Sequence, residues 1–341
     1  MSSAPSGQQF TISAGDQHAT IVEVGGGIRE YRAGGRDVLQ PYPEEQTCDG
    51  AHGAPLIPWP NRLADGRYTF DHTDYQVSLT EPDKHNAIHG FLHWRPWQPV
   101  EQAGDRITMA ATLFPLQGYP FTLDLRIEYR LDRTGLTVNT TATNSGDRPC
   151  PYGCGQHPYL SPGGGLVDDC TLQLQAATRI RTDPNRELPT GIESVRGTSF
   201  DFRTPRRLGD LRIDYAFTDL ERDDEGRAWV RLERPDGHTA ELWVGETLPV
   251  IELYTADTLS PDRRRRGLGT EVPRAFRTVH PLGWAIWKGE FLAPTEEELL
   301  TGIQGRSRED GDRDVASDRQ SGEGARNQRR YSRKLGEYLS P

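Results

Sequence analysis

Short runs of strand-forming residues, separated by turn sequences and with no helical period between them, constrain this chain more than any other feature. The runs are Phe10–Ser13, Ala19–Val24, Tyr75–Leu79, Ile107–Leu113, Leu123–Leu131, Leu136–Thr143, Thr171–Gln175, Ala228–Glu233 and Thr239–Val244. Leu136–Thr143 alternates apolar and polar residues for much of its length, and Thr239–Val244 is rich in strand formers. Between them lie Gly34-Gly35, Asn144-Ser145-Gly146, Pro162-Gly163-Gly164-Gly165 and Pro235-Asp236-Gly237, which suit turns and hairpins. The 36 glycines and 25 prolines among 341 residues exceed the ordinary combined share of roughly 12% and fit many turns. No long stretch before residue 290 repeats its apolar residues at the helical period, so crossover helices for a parallel sheet are missing. The expectation is an all-β chain whose antiparallel sheets pack as a large β-sandwich.

A hydrophobic fraction of 34% and a mean hydropathy of −0.72 are low for a fully packed chain, so one segment should remain solvated. Residues 304–341 hold nine Lys/Arg, seven Asp/Glu and few apolar residues. Such a stretch buries too little apolar surface to offset its ordering entropy. Just before it, Pro294–Leu300 has the makings of a short helix, with Thr295 as cap and acids in the first turn. The expected organisation is one sandwich domain over 8–290 and a divergent, disordered charged tail over 291–341.

No apolar run approaches the roughly 20 residues of a membrane span. The first residues show neither the basic region nor the apolar stretch of a secretory signal. Four cysteines, at 48, 150, 154 and 170, are too few for a disulfide scaffold. A net charge of −10 argues against nucleic acid or an anionic membrane as partner. A cytoplasmic protein acting on a small molecule is the expectation. Gly25-Gly26-Gly27 is no dinucleotide fingerprint, and neither a P-loop nor a G-x-S-x-G elbow is present. No cofactor is expected.

Several polar residues stand in unusual company. Pro58-Trp59-Pro60-Asn61-Arg62 sets an amide and an arginine behind two prolines and an aromatic ring. Arg62 can hold a polyhydroxylated ligand with its five donors, or staple a loop. In Asn86-Ala87-Ile88-His89-Gly90, the glycine permits close backbone approach and His89 can face a pocket, or simply satisfy a hydrogen bond. His93 follows, but no further ligand completes a zinc set. His157, in Gly155-Gln156-His157-Pro158-Tyr159-Leu160, is restricted by the proline after it. Rigid placement suits a general acid; closing a turn is the alternative role. Cys150 and Cys154 resemble small buried apolar residues more than metal ligands. Asp214 sits beside Tyr215 and Phe217, an acid-and-ring pairing that suits sugars. Glu271 follows a run of four arginines, Arg263–Arg266, which is either a solvated loop or a phosphate holder.

Taken in order, these segments resemble the aldose 1-epimerase family, the galactose mutarotases, from about residue 8 to residue 278. The resemblance rests on Gly26-Gly27-Ile28 with Gly35-Arg36-Asp37-Val38-Leu39, on Pro58-Trp59-Pro60-Asn61-Arg62-Leu63-Ala64-Asp65-Gly66-Arg67-Tyr68-Thr69-Phe70, and on Asn86–Gly90, Gly155–Leu160, Asp214–Phe217 and Tyr254-Thr255. It implies a galactose mutarotase-like supersandwich with a sugar in a cleft on one sheet. It also implies roles: His157 as general acid, Glu271 as base, and His89, Arg62 with its neighbour Asn61, and Asp214 as binders of the sugar. The chain departs from the family around Glu271-Val272-Pro273-Arg274-Ala275-Phe276, which is shorter than usual, and after Thr278, where the expected final strand does not follow. Glu252 is the fallback base.

The expected activity is interconversion of the α and β anomers of a free hexose such as glucose or galactose. Protonated His157 would serve the ring oxygen and ionised Glu271 the anomeric hydroxyl, each keeping the other charged near neutral pH. Neither a metal nor a cofactor is required. The alternatives are a hexose-6-phosphate 1-epimerase using Arg263–Arg266, a carbohydrate-binding protein without turnover, and a glycoside hydrolase with Asp214 and Glu271 as its two carboxylates, which would leave the histidines without a role.

Overall fold

Alternation of side chains along the strands becomes the inside and outside of a sheet. Gly135–Asn144 buries Leu136, Val138, Thr140, Ala142 and Asn144 while the residues between them are half-buried. Leu123–Asp132 alternates likewise and pairs with it antiparallel, in register from Leu123 opposite Asn144 to Asp132 opposite Gly135. The computed structural model describes residues 4–46, 48–273, 278–279, 286–287 and 296–306. Among them there is no α-helix, only three single turns of 3₁₀-helix, at Pro82–Lys84, Leu92–Trp94 and Val167–Asp169.

A nine-stranded antiparallel sheet runs in the spatial order Gln98–Gln102, Arg106–Leu113, Leu123–Asp132, Gly135–Asn144, Glu296–Arg306, Thr239–Val244, Ala228–Glu233, Thr171–Leu174 and Arg206–Arg207. A six-stranded sheet has the order Tyr159–Leu160, Leu268–Glu271, Ile251–Tyr254, Asp214–Leu220, Ala176–Thr182 and Pro189–Ser194. Leu172, Val230 and Leu242 from the first sheet share one continuous apolar core with Phe217, Ile251, Leu253 and Leu268 from the second. A four-stranded sheet at the start of the chain, Gln9–Ala14 to Arg36–Asp37, joins the same core through Ile12, Ile21 and Tyr31. The chain is thus an all-β sandwich, as expected.

All nine expected runs contain strand, although Tyr75–Leu79 contributes only the end of Thr73–Gln76. The short helix expected at Pro294–Leu300 is not formed. Glu296–Arg306 is instead a strand, paired on one side with Gly135–Asn144 and on the other with Thr239–Val244. Two neighbouring backbones with unpaired edges outweigh a weak local helix signal, because tertiary context overrides propensity. This strand falls inside the stretch that the sequence assigns to the tail. Thr295 and residues 307–341 lie outside the described residues.

Candidate active site

Three neighbouring strands of the six-stranded sheet bring three acids to one face. In the antiparallel register Glu252 lies directly opposite Glu271, and Ala216 lies opposite Glu252. Asp214 is two residues from Ala216 and so shares its face. The alternate residues Ile251, Leu253 and Leu268 point into the core. Like-charged groups directly across a strand pair are destabilising, so this arrangement is not explained by packing.

The short two-stranded sheet of Arg62–Ala64 with Asn86–Ile88 closes over the acids. The residues flanking it, Asn61 and His89, both adopt left-handed backbone, with φ of 55° and 62°. They hold each other there: the Asn61 N–H donates to His89 Nδ1 (3.1 Å), and the His89 N–H donates to the Asn61 carbonyl (3.0 Å). Gly90 follows with φ of 68°, and a Cβ there would stand 2.0 Å from the Ile57 carbonyl oxygen. Only glycine fits, which fixes where His89 sits. Because Nδ1 of His89 accepts, its neutral ring carries the hydrogen on Nε2. Burial, reinforced by the neighbouring His157, His93 and Arg62, holds its pKa well below the usual value.

Asn61 uses its whole amide on the protein. Its Oδ1 accepts from the Arg62 N–H (2.9 Å), and its Nδ2 donates to Glu252 Oε2 (2.7 Å) and Glu271 Oε2 (3.4 Å). Arg62 is gripped by Glu81, through Nε (2.8 Å) and Nη2 (3.1 Å), and by Glu187 through Nη2 (2.5 Å). Lys84 bridges the same two glutamates, at 3.0 Å and 2.5 Å. Nη1 of Arg62 has no protein partner among the described residues and is left for a ligand.

His157 enters between the short strands Gly155–Gln156 and Tyr159–Leu160, its backbone tied to Ala54 and Gly53. Its ring stacks on Tyr159 with centroids 5.0 Å apart, and Tyr159 also stacks on His52 at 4.4 Å. Arg263 anchors His52 by donating to its Nδ1 (2.8 Å) and pairs with Asp49. Gly269 forms a wall of this column: a Cβ there would lie 3.2 Å from His157 Cε1 and 3.3 Å from the Tyr159 ring. Gly269→Ala should therefore displace both rings by a few tenths of an ångström. We expect a several-fold loss of kcat and about 1–2 kcal/mol of stability. Steady-state rates and a thermal melt check this, and an unchanged kcat would show that the ring position is uncritical.

The cleft so formed has a volume of about 310 Å³ and is lined by Asn61, Arg62, His89, His157, Asp214, Glu252, Tyr254 and Glu271, among others. One polar atom each from His89, His157 and Glu271 lie within 4.8 Å of one another. Two polar atoms here are buried without any partner, His157 Nδ1 and Glu271 Oε1. Orphaned buried polar atoms are costly, and a chain that keeps them has a use for these side chains beyond packing. The same three groups could surround a metal ion, but an ion would have to displace the Nε2 hydrogen of His89. That hydrogen suits an oxygen acceptor instead.

Electrostatics correct one expectation. Burial pulls the His157 pKa down to about 3, with His52 adding to the effect. Burial pushes Glu271 up to about 8, against the pull of Arg62 and Asn61. An opposite charge nearby shifts a pKa by 1–3 units, whereas full burial shifts it by up to 3–5, so burial wins. Among the protein groups alone His157 is neutral and the proton rests on Glu271, rather than the reverse. Asp214 is likewise raised by burial, to about 6, against the opposing Arg62.

The six residues singled out in the sequence, Asn61, Arg62, His89, His157, Asp214 and Glu271, all line this one cleft, and Glu252 lies among them. The four-arginine run does not line it. Arg263 serves Asp49 and His52, and Arg265 is held by Asp168 (2.7 Å) and Asp257 (2.9 Å). All four cysteines are buried, and no disulfide joins them. What sequence inspection missed is the grip on Arg62 by Glu81 and Glu187, and the role of His52 beneath Tyr159. No local signal marks these residues, since their partners lie far off in sequence.

A family model described as aldose 1-epimerase matches residues 8–293. An uncharacterized protein, YihR, of Escherichia coli K12 is 38% identical over 213 residues, which span 62% of this chain and 69% of YihR. The aldose 1-epimerase of the same organism is 29% identical over 216 residues, 60% of each chain. The galactose mutarotase of Bos taurus is 29% identical over 240 residues, 66% of this chain and 67% of its own. Among solved structures, a GalM/aldose epimerase homologue from C. elegans superposes with a TM-score of 0.74 at 19% identity, covering 88% of this chain and 99% of that one. A galactose 1-epimerase from Lactobacillus acidophilus gives 0.71 at 20% identity, over 88% and 94%. These superpositions speak for the fold.

Proposed function

Because the chain belongs to the aldose 1-epimerase family, we propose that it interconverts the α and β anomers of a free aldose, glucose or galactose being the first candidates. The observation that carries this is the convergence of His89, His157 and Glu271, each with one polar atom within 4.8 Å of the others, in a cleft otherwise furnished with hydrogen-bonding groups. Anomer exchange needs one proton delivered to the ring oxygen and one removed from the anomeric hydroxyl. A pair that holds one proton between them can do both.

The sugar itself sets the roles. A ring oxygen only accepts, so it favours a protonated His157. An anomeric hydroxyl donates, so it favours an ionised Glu271. Binding thus draws the resting proton from Glu271 to His157. His157 then protonates the ring oxygen while Glu271 takes the hydroxyl proton, and the C1–O5 bond breaks to give the open-chain aldehyde. Rotation about C1–C2 turns the other carbonyl face, and closure returns both protons. His89 Nε2–H, Arg62 Nη1 and Asp214 hold the remaining hydroxyls, and Asn61 positions Glu271.

The test is polarimetry of freshly dissolved α-D-glucose and α-D-galactose against the spontaneous rate. Acceleration of either supports anomer exchange, and none, from protein shown to be folded, removes the proposal. The pH dependence of kcat/KM adds a second check. As pH falls through about 6 Asp214 gains a proton and ceases to accept from hydroxyls. As pH rises through about 8 the His157–Glu271 pair loses its one proton. A bell with limbs near those values is expected; a flat profile between about pH 5 and 9 would count against the pair.

A further inference from the structure

The three acids on the sheet face cannot all be charged. Asp214 and Glu252 stand on neighbouring strands of one face with their carboxyl groups in hydrogen-bonding reach of each other, and two carboxyl groups can share a hydrogen bond only if a proton lies between them. Glu252 is 6% exposed, faces Glu271 across the strand pair and Asp214 from the next strand, and has Arg62 as its cationic neighbour. That guanidinium is already committed to Glu81 and Glu187. Position assigns the proton: Glu252 is buried on the strand between those of the other two acids, whereas Asp214 stands at one end of the row and is half-buried. Glu252 Oε2 accepts from Asn61 Nδ2, so its other oxygen is the one available to donate to Asp214, which then keeps its charge for accepting from a ligand.

We infer that Glu252 is a resident un-ionised carboxylic acid, a fixed hydrogen-bond donor that orients Asp214 and spares Glu271 a charged neighbour. It is a positioning residue and not a second base. Its two contacts, one accepted from Asn61 and one donated to Asp214, are those a primary amide would make. Burial and the facing charges of Glu271 and Asp214 all push its pKa well above the usual value, in agreement with the geometry.

Infrared spectroscopy of the full chain tests this without reference to turnover, so it stands or falls apart from the anomer-exchange proposal. At about pH 9, above the values of Asp214 and Glu271, the unliganded protein should still show the carbonyl stretch of an un-ionised carboxyl. Glu252→Gln should abolish that band, and Glu271→Gln should retain it. Absence of the band in the parent protein overturns the inference even if the Glu252 variant fails to fold; so does its persistence in Glu252→Gln. The rate measurement rests on the anomer-exchange reading. Glu252→Ala should lower kcat about 10- to 100-fold by freeing Asp214, and Glu252→Gln should rescue most of it with the alkaline limb unmoved. Had Glu252 been ionised, the glutamine would remove a negative charge beside Glu271 and lower that limb by about one unit or more; a shift of that size refutes the inference.

Discussion

Replacing His157 with glutamine is expected to lower the catalysed rate of anomer exchange by about 10²–10⁴-fold. The glutamine keeps a polar side chain beside Tyr159 but cannot carry a proton to the ring oxygen. The groups assigned to hold the sugar hydroxyls, His89, Arg62 and Asp214, are untouched, so KM should change little and the loss should fall on kcat. His157→Ala should lose as much activity and also leave Tyr159 without its stacking partner. Polarimetry at saturating sugar reads the rate, and sugar-binding calorimetry shows whether the cleft survives. Retention of more than a tenth of the parent kcat in the glutamine variant would remove His157 from the proton path.

Glu271→Gln is expected to cost a similar 10²–10⁴-fold in kcat, with the opposite effect on stability. The glutamine oxygen can still accept from Asn61 Nδ2, so the local geometry is kept while the base is lost. The folded state holds the Glu271 proton up to about pH 8, against an ordinary glutamate value of 4.5. Its contribution to stability is therefore fully present below pH 4.5 and is lost as pH rises through 8, because the folded state binds more protons across that window. The variant has no such loss. It should melt at a higher temperature than the parent near pH 8, and the difference should shrink towards pH 5. Equal melting temperatures at both pH values would mean that Glu271 is not held protonated by burial.

Much of the sandwich was legible because alternation is a local property. Leu123–Leu131 and Leu136–Thr143 bury every second residue and declare themselves. The strands that build the cleft do not. Ile251–Tyr254 and Leu268–Glu271 are buried on both faces, one against the core and one beneath the cleft, so Glu252 interrupts what would otherwise read as an apolar run and Leu268-Gly269-Thr270-Glu271 shows no alternation to read. The site residues were found through the resemblance and through local oddities such as the proline after His157 and the glycine after His89. Their charge states were not legible. Spacing along the chain says nothing of how deeply a carboxyl is buried, and here burial decides where the proton sits.

The position of Glu296–Arg306 bears on how such a chain assembles. This strand, from the far end of the described chain, fills the slot between Gly135–Asn144 and Thr239–Val244. Until it is synthesised the nine-stranded sheet is two partial sheets, each with an open edge able to pair with another chain. The cleft-bearing sheet is different, for all of its strands have emerged by Glu271. The site can thus be laid down while the larger sheet still waits for its keystone. Closing that seam joins residues more than 150 positions apart, the kind of distant pairing that slows folding, and it makes the last strand a guard against association during synthesis.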